Sequence, residues 1–163
     1  MSEKKIRVRK AEPKDIVNIC NLLKKGWNLQ TTEYAPIDEM RGYAWILGIL
    51  REGFIAVADL NGRIVGAACG NPYRPQWSLQ WMVDMSFLFI LPSFREAGVA
   101  QELIKAVELF ADEHEASMTF EIQTGDRSEV KDRMMKIAGW TYSGGHFLRP
   151  ANVKGQRNNN RHK

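Results

Sequence analysis

Between Leu88 and Ala111 the spacing of apolar residues changes from that of a strand to that of a helix, with only a short turn between the two patterns. Leu88-Phe89-Ile90-Leu91 is a continuous apolar run stopped by Pro92, whereas Val99, Leu103, Ile104, Val107, Phe110 and Ala111 recur at helical spacing. The turn reads Arg95-x-x-Gly98-x-Ala100. Its small residues fall where a helix presents backbone N–H groups that have no intrahelical acceptor, so the junction has the form of a cradle for pyrophosphate oxygens. A strand feeding a helix in this way places the chain among folds that mix the two, α/β or α+β.

The rest of the chain supplies partners for that unit. Residues 6–9 alternate as a strand, and Pro13 opens a first amphipathic helix carrying Ile16, Ile19, Cys20, Leu22 and Leu23. A loop with Thr31, Thr32, Glu33 and Tyr34 leads to Asp38, which is placed to cap a second helix to about Leu50. Residues 54–60 and 63–70 flank Asn61-Gly62, the pair that most readily takes the positive φ angles of a tight hairpin. A long apolar strand over 81–91, the turn and a third helix to about Glu113 follow. Residues 118–123 form a further strand, and 128–138 a fourth helix closed by Gly139. Residues 140–143 and 146–148 pair around Gly144-Gly145. The predicted order is β-α-α-β-β-β-α-β-α-β-β, with no internal repeat.

At 163 residues the sequence suits one domain, 1–150, followed by a tail, 151–163. The net charge of +4 belongs to that tail: without Lys154, Arg157, Arg161 and Lys163 the body has 19 basic and 19 acidic residues. Weak contact with a polyanion is therefore expected only from the tail, whose Asn158-Asn159-Asn160 run and missing apolar period predict disorder. A merely solubilising tail is the competing explanation. No apolar stretch suits a signal peptide or a membrane span, so a cytoplasmic protein without membrane contact is expected. Cys20 and Cys69 have no metal-ligand spacing and read as core residues; no metal site is expected.

The element order over residues 6–148 resembles the GNAT superfamily of N-acetyltransferases, and so do several local signatures. Arg95-x-x-Gly98-x-Ala100 matches its pyrophosphate motif, and Arg9-x-Ala11-x-x-x-Asp15 its first strand-to-helix junction. Ile64-Val65-Gly66, Leu88-Phe89-Ile90-x-Pro92-x-x-Arg95 and Ala138-Gly139-Trp140 fall where the family has its hairpin, its fourth-strand lead and its helix-to-strand ending. The Thr124-Gly125-Asp126 stretch and the Gly-Gly hairpin are similar to small phage-encoded members. The resemblance implies a mixed, mostly antiparallel sheet of six to seven strands with about four helices, splayed between strands 4 and 5. It also implies acetyl-CoA as cosubstrate and a monomer or homodimer. The cofactor would lie along Leu88, Phe89 and Ile90, with its pyrophosphate on Arg95, Glu96, Ala97, Gly98, Val99 and Ala100, and Ser128 touching the pantetheine arm. Glu96 and Ala97 depart from the family pattern, and an acid beside a phosphate site is unfavourable unless it points to solvent.

Acetyl transfer requires a neutral amine at the thioester carbon and no covalent nucleophile from the protein, so direct attack in a ternary complex on a primary amine, of a small molecule or a protein, is the economical chemistry. The family often places a tyrosine in the fourth helix as acid toward the leaving thiolate; here Met134-Met135 stand at that pair, and Met135 has no proton to give. Tyr142 is the substitute candidate, with a core or rim role as the alternative. For the base, Asp84 stands out in an apolar strand, and simple alternation would put it on one face with Ser86, Leu88 and Ile90. A structural acid bonded to backbone or serine is the alternative. Glu121 and Gln123 are further candidates, Glu33 and Tyr34 candidates for acceptor contact, and His146 a surface histidine. A non-catalytic acetyl-CoA-binding or interaction protein is the rival reading, motivated by Met135 and Glu96.

Overall fold

Asn61 and Gly62 take φ angles of 53° and 89°, and the turn they make joins β2 (Phe54–Leu60) to β3 (Arg63–Tyr73) as the antiparallel pair on which the sheet is built. The Gly62 N–H donates to Asp59 Oδ1 at 2.6 Å, closing the turn. The computed structural model describes residues 6–29, 36–95, 98–121 and 128–144. β1 (Arg7–Lys10) pairs antiparallel with β2, and β4 (Met82–Ile90) pairs antiparallel with β3. β5 (Ser117–Thr119) runs parallel to β4, so the order across the sheet follows the chain.

Among the described residues four helices cover the two faces. α1 (Ile16–Asn28) and α2 (Glu39–Glu52) press Ile19, Leu22, Ile46 and Ile49 onto Ile55, Val57, Ala67, Cys69, Phe87 and Phe89. α3 (Val99–Glu113) and α4 (Ser128–Ile137) place Leu103, Val107, Ala111 and Met135 against Ala56, Ala58, Ala68, Val83, Met85 and Ile90. Strands buried on both faces explain the dense apolar runs of the sequence. Asp38 caps α2 through the Arg41 N–H at 2.9 Å, and Gly139, at φ 92°, closes α4 while the Trp140 N–H donates to Met135 O at 3.0 Å.

The Arg9 to Asp15 junction is a buried ion pair. Arg9 donates from Nη1 and Nη2 to the two Asp15 oxygens at 2.7 and 3.0 Å and from Nε to Asp59 at 2.9 Å. The Glu12 N–H adds a bond to Asp15 at 2.8 Å. The hydrogen bonds from Arg9 hold the Asp15 carboxyl below its ordinary range, against the opposing effect of burial. One guanidinium thus ties β1, the start of α1 and the end of β2 together.

Several boundaries differ from expectation. β3 continues past Gly70 to Tyr73 although it contains Pro72. β2 begins opposite Gly70, so Pro72 has β4 on one side only and needs no N–H on the other. Among the described residues the sheet has five strands. Residues 141–144 of the expected last hairpin form no strand; before them Trp140 is held by its Nε1–H, which donates to Glu108 at 2.9 Å. The expected strand over 118–123 stops at Thr119, with Phe120 and Glu121 in coil; residues 122–123, 145–148 and the tail from 151 lie outside the described residues. Among those described, no helix is long and apolar enough to cross a membrane.

Candidate active site and cofactor cradle

At the end of β4 the Leu91 N–H donates to Val65 O at 2.9 Å, and a short 3-10 turn, Pro92–Phe94, carries the chain out of the sheet. Gly98 then takes φ 106°, and the first helical bond of α3 runs from the Glu102 N–H to Gly98 O at 2.9 Å. The amides of Val99, Ala100 and Gln101 precede that bond, and no side chain of the described residues caps them. Such a row of donors, at the positive end of a 15-residue helix, suits an anion. A Cβ built on Gly98 would meet nothing within 4 Å, so the glycine is required by its backbone angle and leaves open space above the amides. Glu96 and Ala97 lie outside the described residues.

β5 pairs with β4 only over Met82–Asp84, so beyond that point the two strands no longer bond among the described residues. Because the Leu91 N–H faces β3, alternation turns the amides and carbonyls of Leu88 and Ile90 toward the opened edge. Arg95 lies back along this edge: its Nε–H donates to Ile90 O at 3.0 Å and its guanidinium sits 5.6 Å from the Phe89 ring centre. Phe89 itself is buried against α1, packed so closely over Gly26 that a Cβ there would come within 3.0 Å of its ring, and is thus a wall of the core beneath Arg95. Val99 and Ala100 are half-buried beside the α3 and α4 cluster. A groove of about 360 Å³ runs between α3 and α4, past Gln101, Lys105 and Met134. A larger hollow, about 640 Å³, is bounded by β1, the β2–β3 turn and Glu102 in the first turn of α3.

Asp84 requires a correction. Cys69 pairs with Phe87 and Gly70 with Met85, so Ser86 is an extra residue bulged out of β4. The bulge inverts the alternation. Val83 and Met85 before it lie on the α3 face together with Leu88 and Ile90 after it, and Asp84 falls on the opposite face, with Phe87 and Phe89. Asp84 therefore does not share a face with Leu88 and Ile90. It sits half-buried in a polar row across three strands, with Asn71 and Thr119 as its cross-strand partners. The Thr119 hydroxyl donates to its Oδ1 at 3.3 Å, and Ser86 Oγ donates to its carbonyl at 3.2 Å.

The other candidates are dispersed. Tyr142 is 66% exposed in the coil after α4, with Lys136 Nζ 5.8 Å from its ring centre. Ser128 is the first residue of α4. Met135 is buried in the core, so the helix position that resembles the family's tyrosine carries a thioether. Glu121 is exposed just beyond β5. Cys69 is wholly buried and Cys20 partly so, and burial raises both thiols above their ordinary range, which leaves neither a nucleophile. Glu33, Tyr34, Gln123 and His146 lie outside the described residues. Asn71, Thr119 and the Ser86 bulge escape sequence reasoning. Val83, Met85, Phe87 and Phe89 read as one unbroken alternating series although they lie on two faces.

The Acetyltransferase (GNAT) family model matches residues 17–135. Solved structures with this architecture include an aminoglycoside N-acetyltransferase in complex with CoA, at TM-score 0.71 and 18% identity over 91% of this chain and 96% of that one. An aminoglycoside acetyltransferase from an uncultured soil metagenomic sample, in complex with trehalose, superposes at TM-score 0.67 and 14% identity over 93% and 100% of the two chains. An acetyltransferase of Trypanosoma brucei superposes at TM-score 0.68 and 18% identity over 90% and 100%. At such identities these likenesses establish the fold. No curated protein matches the sequence.

Proposed function

The chain belongs to the GNAT acetyltransferase family, and from that premise we propose that it transfers an acetyl group from acetyl-CoA to a primary amine by direct attack within a ternary complex. The single observation that carries this reading is the junction at the end of β4. Three uncapped amides follow a glycine of positive φ there, beside a strand edge that parts from β5. The CoA complex of a structural neighbour supports the same cosubstrate.

Acetyl-CoA supplies the activated acyl group as a thioester. In this reading the amides of Val99, Ala100 and Gln101 take its pyrophosphate, with Arg95, Glu96, Ala97 and Gly98 forming the rest of the turn. The Leu88 and Ile90 edge groups take the pantetheine amides as a further strand would, with Phe89 as the apolar backing of the strand and Ser128 at the arm. For that, Arg95 must release Ile90 O or share it. Asp84 accepts the proton of the acceptor ammonium, directly or through a water, so that the nitrogen can attack the carbonyl carbon. Tyr142 is assigned the proton that returns to the departing thiolate, since Met135 has none to give.

A second reading, acetyl-CoA binding without turnover, is favoured specifically by Met135. A thiol-release assay over a panel of primary amines, together with calorimetric titration of acetyl-CoA, separates the readings. Binding with turnover supports transfer, binding without turnover on any amine supports the second reading, and absence of binding refutes both.

A further inference from the structure

Resting on the acetyl-transfer reading, we propose that the acceptor is a small amine with a single positive charge and an apolar, ring-sized body, seated with its ammonium on Asp84 and its body on Tyr73 and Met82.

The charge follows from how the acids of this protein are paired. Among the described residues, each buried or half-buried carboxylate other than Asp84 has a cation within reach. Asp15 and Asp59 share Arg9, Glu108 has Lys105 at 3.5 Å, and Asp132 has Lys136 at 2.7 Å. From the described residues Asp84 receives only the Thr119 hydroxyl, on one oxygen. A half-buried carboxylate without a counter-ion is a costly feature, and an ammonium supplied by a ligand removes the cost.

The size and polarity of the remainder follow from the strand geometry. Two residues along β4, about 7 Å away, Met82 projects from the same face as Asp84. Tyr73 is its cross-strand partner, and the Tyr73 hydroxyl donates to Met82 Sδ at 3.6 Å, which holds the phenol ring beside the thioether. That spacing matches an ammonium joined by a short linker to one ring. The connection from β3 to β4 extends the apolar character with Trp77 and Leu79, 88% and 90% exposed. It is tied back toward β5 by Gln80, whose Nε2 lies 3.5 Å from Ser117 Oγ.

The same stretch disfavours a polycation. From Asn71 to Ser86 the sequence holds one acid, Asp84, and one base, Arg74, whose guanidinium already lies 4.6 Å from the Trp81 ring centre. Glu121, two residues past Thr119, is exposed and itself engaged. A ligand with several ammonium groups would bring charges that this surface does not match, and would meet Arg74 at its rim.

The test is calorimetric titration of tryptamine and of neamine into protein saturated with CoA. Tryptamine is expected to bind about tenfold more tightly than neamine or better. Asp84→Asn and Tyr73→Ala are each expected to weaken tryptamine by about tenfold while leaving the affinity for CoA unchanged, which also reports that both variants are folded. Neamine binding as tightly as tryptamine, neither amine binding, or tryptamine affinity indifferent to both substitutions would overturn the proposal. Failure of the transfer reading is distinguished by thiol release: an amine that binds as described and is never acetylated leaves the acceptor site standing without the chemistry.

Discussion

Replacing Asp15 by Asn keeps the shape of the side chain at the start of α1 and removes its charge. In the native structure the carboxylate accepts three bonds, from both Arg9 Nη groups and from the Glu12 N–H. Its side chain is only 5% exposed, against 21% for Arg9. An amide has one acceptor oxygen and would present an NH₂ group toward a guanidinium, so at least one close donor pair results. Breaking one side of a buried ion pair costs about 3–5 kcal/mol; because Arg9 retains Asp59, the lower end, about 3 kcal/mol, applies here. For a chain of this size that corresponds to a fall in Tm of roughly 6–12 °C. Urea unfolding followed by circular dichroism measures the loss, and pH supplies a second axis. The folded-state pKa of Asp15 is lowered, so its contribution is complete above the ordinary carboxylate pKa, about 4, and disappears as pH falls through the folded value. The gap between wild type and Asp15→Asn should therefore be widest near neutral pH and narrow below about pH 4. A loss smaller than about 1 kcal/mol at pH 7, or a gap that widens in acid, would refute the reasoning.

Three further outcomes bear on the site and the tail. Gly98→Ala should cost about 1–3 kcal/mol in stability, because φ 106° is strained for any side chain, whereas Gly98→Glu should also largely abolish acetyl-CoA binding by bringing a carboxylate to the amide row. Unchanged acetyl-CoA affinity in the glutamate variant would remove this turn from the cofactor site. Asp84→Asn should lower turnover more than it lowers acetyl-CoA affinity, and steady-state rates equal to wild type would reduce Asp84 to a scaffold acid. Deleting residues 151–163 should abolish any salt-sensitive binding of RNA or DNA, measured by fluorescence anisotropy at two ionic strengths; retained binding would place the basic surface elsewhere.

Features that depend on a few neighbouring residues were legible in the sequence. The Asn61-Gly62 hairpin, the Asp38 cap, the Gly139 stop and the glycine at the start of α3 are set by which φ angles and which short-range donors a residue permits. The resemblance of Arg9-x-Ala11-x-x-x-Asp15 to a family junction acquired its physical content only in three dimensions, as an ion pair that recruits Asp59 from 44 or more residues away. Face assignments in β4 were not legible at all. Alternation is a local rule that holds while two strands advance in step, and the extra residue at Ser86 exists only relative to Cys69 and Gly70 on β3. That one-residue slip carried Asp84 to the other side of the sheet, beside Asn71 and Thr119. Whether a carboxylate meets a cofactor or an acceptor was decided by strand register, a property of two segments packed together that neither segment encodes alone.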